Sequence, residues 1–112
     1  MNSKGEDKIQ QILLQNNIPF KKEKTYADLR SKENKRLRYD FYVNNSFLLE
    51  YDGEQHYKEW NINKDTLKDR QLRDQIKNEY AKNHNIPLKR IPYWDFNKIT
   101  IENIMDNTYL IN

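Results

Sequence analysis

Three carboxylates fall close together in the middle of this 112-residue chain: Asp40, then Glu50 and Asp52 in the string Glu50-Tyr51-Asp52-Gly53. Asp40 belongs to Arg38–Val43 and the other two to Phe47–Asp52. Both segments alternate, and Asn44-Asn45-Ser46 separates them, which predicts a β-hairpin. Tyr39, Phe41 and Val43 share one face of the first strand, and Phe47, Leu49 and Tyr51 share one face of the second. A two-residue Asn44-Asn45 turn would pair Val43 with Ser46 and split these apolar residues between two sides. A three-residue loop pairs Val43 with Phe47 and gathers all six on one side. A slip of one residue inverts the arrangement, so burial selects this register. Asn tolerates the left-handed conformation such a loop needs. The same register sets Asp40 opposite Glu50 and Arg38 opposite Asp52, with cross-strand Cβ atoms about 5 Å apart. Two carboxylates so placed repel each other unless a cation or a proton lies between them. Oxygen ligands with open positions suit Mg²⁺, with Mn²⁺ as its substitute. The plainer alternative is a pair of solvated carboxylates on an exposed sheet face. Tyr42 and Leu48 lie on that same face and argue that it is at least partly covered.

The string D-F-Y-V…F-L-L-E-Y-D-G-E-Q-H-Y, from Asp40 to Tyr57, resembles the PD-(D/E)XK nuclease superfamily. Within it, the string is most similar to the branch of very-short-patch-repair and phage homing endonucleases. The stretch Arg73 to Tyr93 resembles the helix-plus-strand ending of the same proteins. In element order the resemblance spans residues 3–93, while its sharp motif spans only 40–57. It implies a restriction-endonuclease-like core and Mg²⁺-dependent hydrolysis of phosphodiester bonds in DNA, with RNA as the second substrate class. It also implies Asp40 and Glu50 as metal ligands, with the Tyr51 carbonyl as a third. The superfamily pattern places Lys two residues after the Glu, where this chain has Asp52. The basic group is therefore expected elsewhere. Lys77, on the following helix, is one candidate, and Gln55 and His56 are the others. Asp52 either ligates a metal or pairs with Arg38. Glu6 either completes a capping box with Ser3 or reaches the metal from the N-terminal helix, as the resemblance implies.

The elements that must position these groups follow from periodicity. Residues 3–17 predict a helix, with Ile9, Ile12 and Leu13 as its stripe and Asn16-Asn17 as a left-handed close. Phe20 to Leu29 predicts a first strand, and residues 30–37 a basic turn. Lys64–His84 predicts the longest helix, with Leu72, Ile76 and Tyr80 spaced four apart and Asn85 as its stop. Leu88–Tyr93 predicts a last strand and Thr100–Met105 a short helix. The order α-β-β-β-α-β-α describes an α/β (α+β) fold, a single mixed sheet flanked by helices, in one domain covering 1–112.

Composition excludes several classes. There is no cysteine, hence no disulfide and no thiolate zinc site. No segment reaches the roughly 20 apolar residues of a membrane helix, and the N-terminus lacks a signal-peptide core, so a cytoplasmic protein without a membrane partner is expected. The net charge of +3 and pI near 9.0 are compatible with nucleic acid without demanding it. Arg36, Arg38, Lys89 and Arg90 are the candidate phosphate contacts, with Arg38 and Arg90 favoured because they lie on predicted strands near the acids. Tyr93, Trp60 and Trp94 have the rings to stack on bases, although Trp94 is expected to pack on the long helix. His84 is explained by a helix C-terminus. The chain is short for a nuclease with its own recognition domain, so sequence specificity is expected to require a homodimer, a recognition partner or extra loops. A second function class, a degenerate nuclease fold that only binds nucleic acid or protein, is supported by the missing Lys at position 52.

Overall fold

The computed structural model describes residues 3–54, 57 and 66–112. Helix α1, Lys4–Gln15, starts at Ser3, whose hydroxyl accepts the Glu6 N–H. Three strands follow: β1 (Phe20–Arg30), β2 (Arg36–Val43) and β3 (Phe47–Asp52). Helix α2, Leu67–Asn83, is closed at its start by a capping box between Thr66 and Asp69. Strand β4 (Leu88–Pro92), a 3₁₀ turn (Tyr93–Lys98) and helix α3 (Ile101–Met105) complete the chain. The single sheet has the order β1-β2-β3-β4, antiparallel for the first two pairs and parallel between β3 and β4. The element order and the mixed sheet are those the sequence predicts. The two long helices are shorter than predicted: α1 ends at Gln15, and α2 begins after its cap at Thr66 and ends at Asn83, while Lys64 and Asp65 lie outside the described residues.

Left-handed turns do much of the punctuation, and asparagine supplies them. Asn17, Asn34, Asn44, Asn45 and Asn85 all have positive φ, in a chain with only two glycines. A short side chain that can bond its own backbone tolerates this region best. Asn44 and Asn45 form the β2–β3 turn, and Val43 pairs with Phe47 and Phe41 with Leu49.

Apolar packing fills both sides of the sheet. On one side α1 and α3 cover Phe41, Val43, Phe47, Leu49 and Ile91, with Ile9, Leu13 and Ile104 from the helices. On the other, α2 covers Leu37, Tyr39, Leu48 and Leu88, with Ala81 and the half-buried Ile76 and Tyr80. Strand β3 is therefore buried on both faces, Leu48 to one core and Leu49 to the other.

One expectation is corrected here. Five of the six hairpin residues share the α1 side, but Tyr39 goes to the α2 side. The cause lies in β1. Glu23 has φ 54°, and between the pairs Lys22↔Phe41 and Lys24↔Tyr39 it stands across from Asp40. A left-handed residue turns an extended chain over. Lys22 accordingly lies against Phe41 on one side, and Lys24 against Tyr26 and Tyr42 on the other. The two strands change faces together at Glu23 and Asp40.

The chain's last residues close the β4 edge. Lys89 bridges Leu110, the Ile111 N–H donates to the Leu88 carbonyl, and the Asn112 side chain accepts from the Leu88 N–H. Among the described residues no helix is long and apolar enough to cross a membrane.

Candidate active site

Asp40 and Glu50 meet through each other's strands. The Asp40 N–H donates to Glu50 Oε2 at 2.7 Å, and the Tyr51 N–H donates to Asp40 Oδ2 at 2.8 Å. Each carboxylate thus caps a backbone donor that an ordinary ladder would have bonded to a carbonyl. The reversal of faces at Asp40 frees those donors and lets one side chain lie between the two helical layers. From α1, the charge of Glu6 reaches Asp40; from α2, that of Lys77 does. Gly5 permits the approach of α1, because a Cβ there would overlap the Tyr51 ring.

Burial, then the charges of Glu50 and Glu6, push the Asp40 carboxyl up to about 9, against the pull of the Tyr51 N–H and Lys77. Asp40 therefore holds a proton at neutral pH unless a cation takes its place.

Lys77 brings a cation from α2 to the pair. Its ammonium pairs directly with Glu50 Oε1, and it also lies 5.4 Å from the centre of the Tyr39 ring. The Tyr39 hydroxyl donates to the Lys77 carbonyl at 2.7 Å, which fixes that turn of α2 over β2. Among the described residues, Lys77 is the candidate for the missing motif Lys that is brought to Glu50. Gln55, His56 and Trp60 lie outside the described residues.

Asp52 is not open to a metal through both oxygens, and its partner is not Arg38. Arg90 Nη1 holds Asp52 Oδ1 at 2.7 Å, while Arg90 Nε donates to Asn78 Oδ1 at 2.7 Å. Arg90 Nη2 lies 3.6 Å from Asp74 and 3.9 Å from Glu50. Burial would lower the Arg90 pKa, but Asp52, Glu50 and Asp74 together outweigh it and raise it. Arg90 is thus the counter-charge of a largely buried acidic site. Nothing in the chain order announces this pair; it depends on the parallel β3–β4 register, which sets Glu50 beside Arg90 and Asp52 beside Pro92. No signal in the local sequence marks it, because the covering of that side of β4 by α2 comes from tertiary packing.

Lys89 is also corrected. It is 4% exposed, donates to the Ile104 carbonyl at 2.8 Å and rests on the Phe47 ring, so it cannot reach phosphate. Arg38 is 67% exposed and lies 3.8 Å from Glu23. Arg36 is exposed at the start of β2. Trp94 does not pack on α2; it is 60% exposed and clusters with Tyr57 and Tyr93. His84 caps α2, bonded to the Tyr80 carbonyl and stacked on the Tyr80 ring. Glu6 accepts from the Ser3 hydroxyl while its charge reaches Asp40, so helix start and acid site share it.

Four carboxylates, Asp40, Glu50, Asp52 and Asp74, surround two cations, Lys77 and Arg90, and the charge of Glu6 reaches Asp40. Comparison with family models, curated proteins and solved structures finds no match to this chain. What the site can do rests on its own geometry. Among the described residues no three His, Cys, Asp or Glu side chains are grouped to hold a metal ion. A divalent cation here would have Asp40 and Glu50 as its side-chain ligands and draw its remaining oxygens from backbone, water or substrate. That donor set fits Mg²⁺, which keeps several waters and is commonly held by one or two carboxylates plus substrate phosphates. A cleft of about 250 Å³ opens beside Asp52, Asp74, Asn78 and Arg90.

Proposed function

We propose that this chain is a divalent-cation-dependent phosphodiesterase that cleaves DNA by hydrolysis. The observation that carries this reading is the Asp40–Glu50 pair: a half-buried and a buried carboxylate bonded across the hairpin, with a lysine ammonium on Glu50. Mg²⁺ bound there supplies polarisation of the phosphodiester and a more acidic water. The residues supply position and charge. Asp40 and Glu50 would hold the ion, with the Tyr51 carbonyl as a further oxygen. Lys77, steered by Glu50, places a positive charge beside the reacting phosphate and orients the attacking water. That water adds to phosphorus as the bond to the leaving oxygen breaks. Its proton passes to solvent, and solvent protonates the leaving oxygen. Arg90 acts as a positioning residue, keeping Asp52 and Glu50 in place from behind.

Asp40→Asn and Glu50→Gln should each lower Mg²⁺-dependent cleavage at least about 10²-fold, the order expected for loss of one charge-stabilising group. Circular dichroism should be unchanged. Wild-type protein that cleaves neither DNA nor RNA with Mg²⁺ or Mn²⁺ would defeat the reading.

A second reading has its own support. Both Glu50 oxygens are engaged within the protein, and Asp52 is paired with Arg90. A fold whose acids satisfy their own cations could bind nucleic acid without cutting it. Calorimetric titration with Mn²⁺ separates the two: the cleaving protein binds it through Asp40 and Glu50, whereas the self-satisfied site does not.

A further inference from the structure

Away from the acid pair, a second cleft of about 470 Å³ opens between the β1–β2 turn and the first half of α2. Lys32, Lys35 and Arg36 stand on its turn side, and Leu37, Leu72 and Ile76 give it an apolar floor. The three cations are exposed and make no ion pair with any described residue. Of the two acids on its walls, Asp69 accepts the Thr66 N–H that caps α2, so its carboxylate is committed to the helix start. With Lys32, Lys35, Arg36 and Arg73 set against Glu33 and Asp69, the walls carry an excess of two positive charges, which favours an anionic ligand.

We propose that this cleft is a track for one single strand of nucleic acid, gripping its phosphates upstream or downstream of the reacting one. The proposal rests on the phosphodiesterase reading for its substrate class and adds the form of that substrate. Unpaired cations suit phosphates, and the leucine and isoleucine floor suits the sugar and base faces that a single strand exposes and a duplex buries. Placement supports it too. The cleft and the acid pair both lie on the α2 side of the sheet: Ile76 lines the cleft and the next residue, Lys77, holds Glu50. Along β2, Leu37 stands three residues before Asp40, about 10 Å at strand rise. Buried Tyr39, bonded to the Lys77 carbonyl, separates the cleft from the acid pair, so the two are neighbouring sites along one helix.

The test is binding without catalysis. Asp40→Asn protein in EDTA is titrated with labelled single-stranded DNA at several salt concentrations, alone and with Lys32→Gln, Lys35→Gln and Arg36→Gln added together. Neutralised single-strand contacts should flatten the slope of log affinity against log salt by about 0.7 each, so by roughly 2 for all three. Lys4→Gln, Lys82→Gln and Lys98→Gln, with the same change in net charge, should leave the slope unchanged. Single strand should bind more tightly than blunt duplex of equal length. An unchanged slope in the first triple variant, an equal loss in the second, or duplex bound as tightly as single strand would each overturn the proposal. The two readings fail separately. If the slope flattens but wild type cuts nothing, cleavage is lost and the track stands. If wild type cuts and the slope is unmoved, the reverse holds.

Discussion

Lys89 and Arg90 are neighbours on one strand, the first buried and the second largely so, but on opposite sides of the sheet and among opposite company. Lys89 points to the α1–α3 side, where a single carbonyl and the Phe47 ring receive it. Arg90 points to the α2 side, where Asp52, Asn78, Asp74 and Glu50 surround it. Burial lowers the Lys89 pKa, while on Arg90 the carboxylates win. The first side is a dry core that tolerates one snorkelled amine. The second is an ionic layer that needs its cations. A buried charge costs several kcal/mol unless partners return it, so the two residues should respond differently to the same surgery.

The widest gap should come from Arg90→Met. It strands Asp52 and Glu50 without their guanidinium and should lower stability by about 3–5 kcal/mol in chemical denaturation. A loss below about 1 kcal/mol would mean the ionic layer is solvated and the contrast with Lys89 is false.

Asp40→Asn tests the same layer through pH. The folded pKa of Asp40, about 9, is above its ordinary 3.8, so between these values the folded state binds more protons than the unfolded. Without divalent cation, wild-type stability from this group is complete below the ordinary value and drains away as pH rises toward the folded one. The asparagine variant lacks this loss. Its melting temperature should match wild type near pH 4 and exceed it at pH 8, and added Mg²⁺ should stabilise only wild type. Parallel melting curves across that range would remove Asp40 as the seat of the retained proton.

The smallest effect should be Lys89→Met. It loses one hydrogen bond and keeps the packing, for a change of about 1 kcal/mol or less. Because the folded pKa of Lys89 is below its ordinary 10.5, the unfolded chain binds the extra proton as pH approaches that value. Wild-type stability from this group therefore rises with pH in that window, and the variant should flatten the rise. Urea titrations at a few alkaline pH values measure it.

Legibility in the sequence follows the same division. Period and loop chemistry gave away the hairpin register, because six apolar residues and two asparagines all favoured one pairing. The element order followed for the same reason. The acid pair was legible through that register, and Lys77 through the absence of Lys at 52. The Arg90–Asp52 pair was not, since it forms between strands whose parallel alignment is set by the packing of α2, and local sequence carries no record of it. Lys89 was misplaced because alternation along β4 does not say that both faces are covered. Tyr39 was misplaced because nothing marks a glutamate, Glu23, as the residue that turns left-handed in mid-strand.

The C-terminal tail that bridges Lys89 has a consequence for self-association. An uncovered strand edge invites a second chain to extend the sheet, and proteins that stay apart guard it. Here the tail occupies the β4 edge, while the β1 edge carries Lys21, Lys22 and Lys24 around the kink at Glu23. Both ends of the sheet resist growth by strand addition. Any pairing of two copies, and any recognition partner, must then dock on helix or loop surfaces, which leaves the hairpin acids and the cleft beside α2 facing whatever lies between.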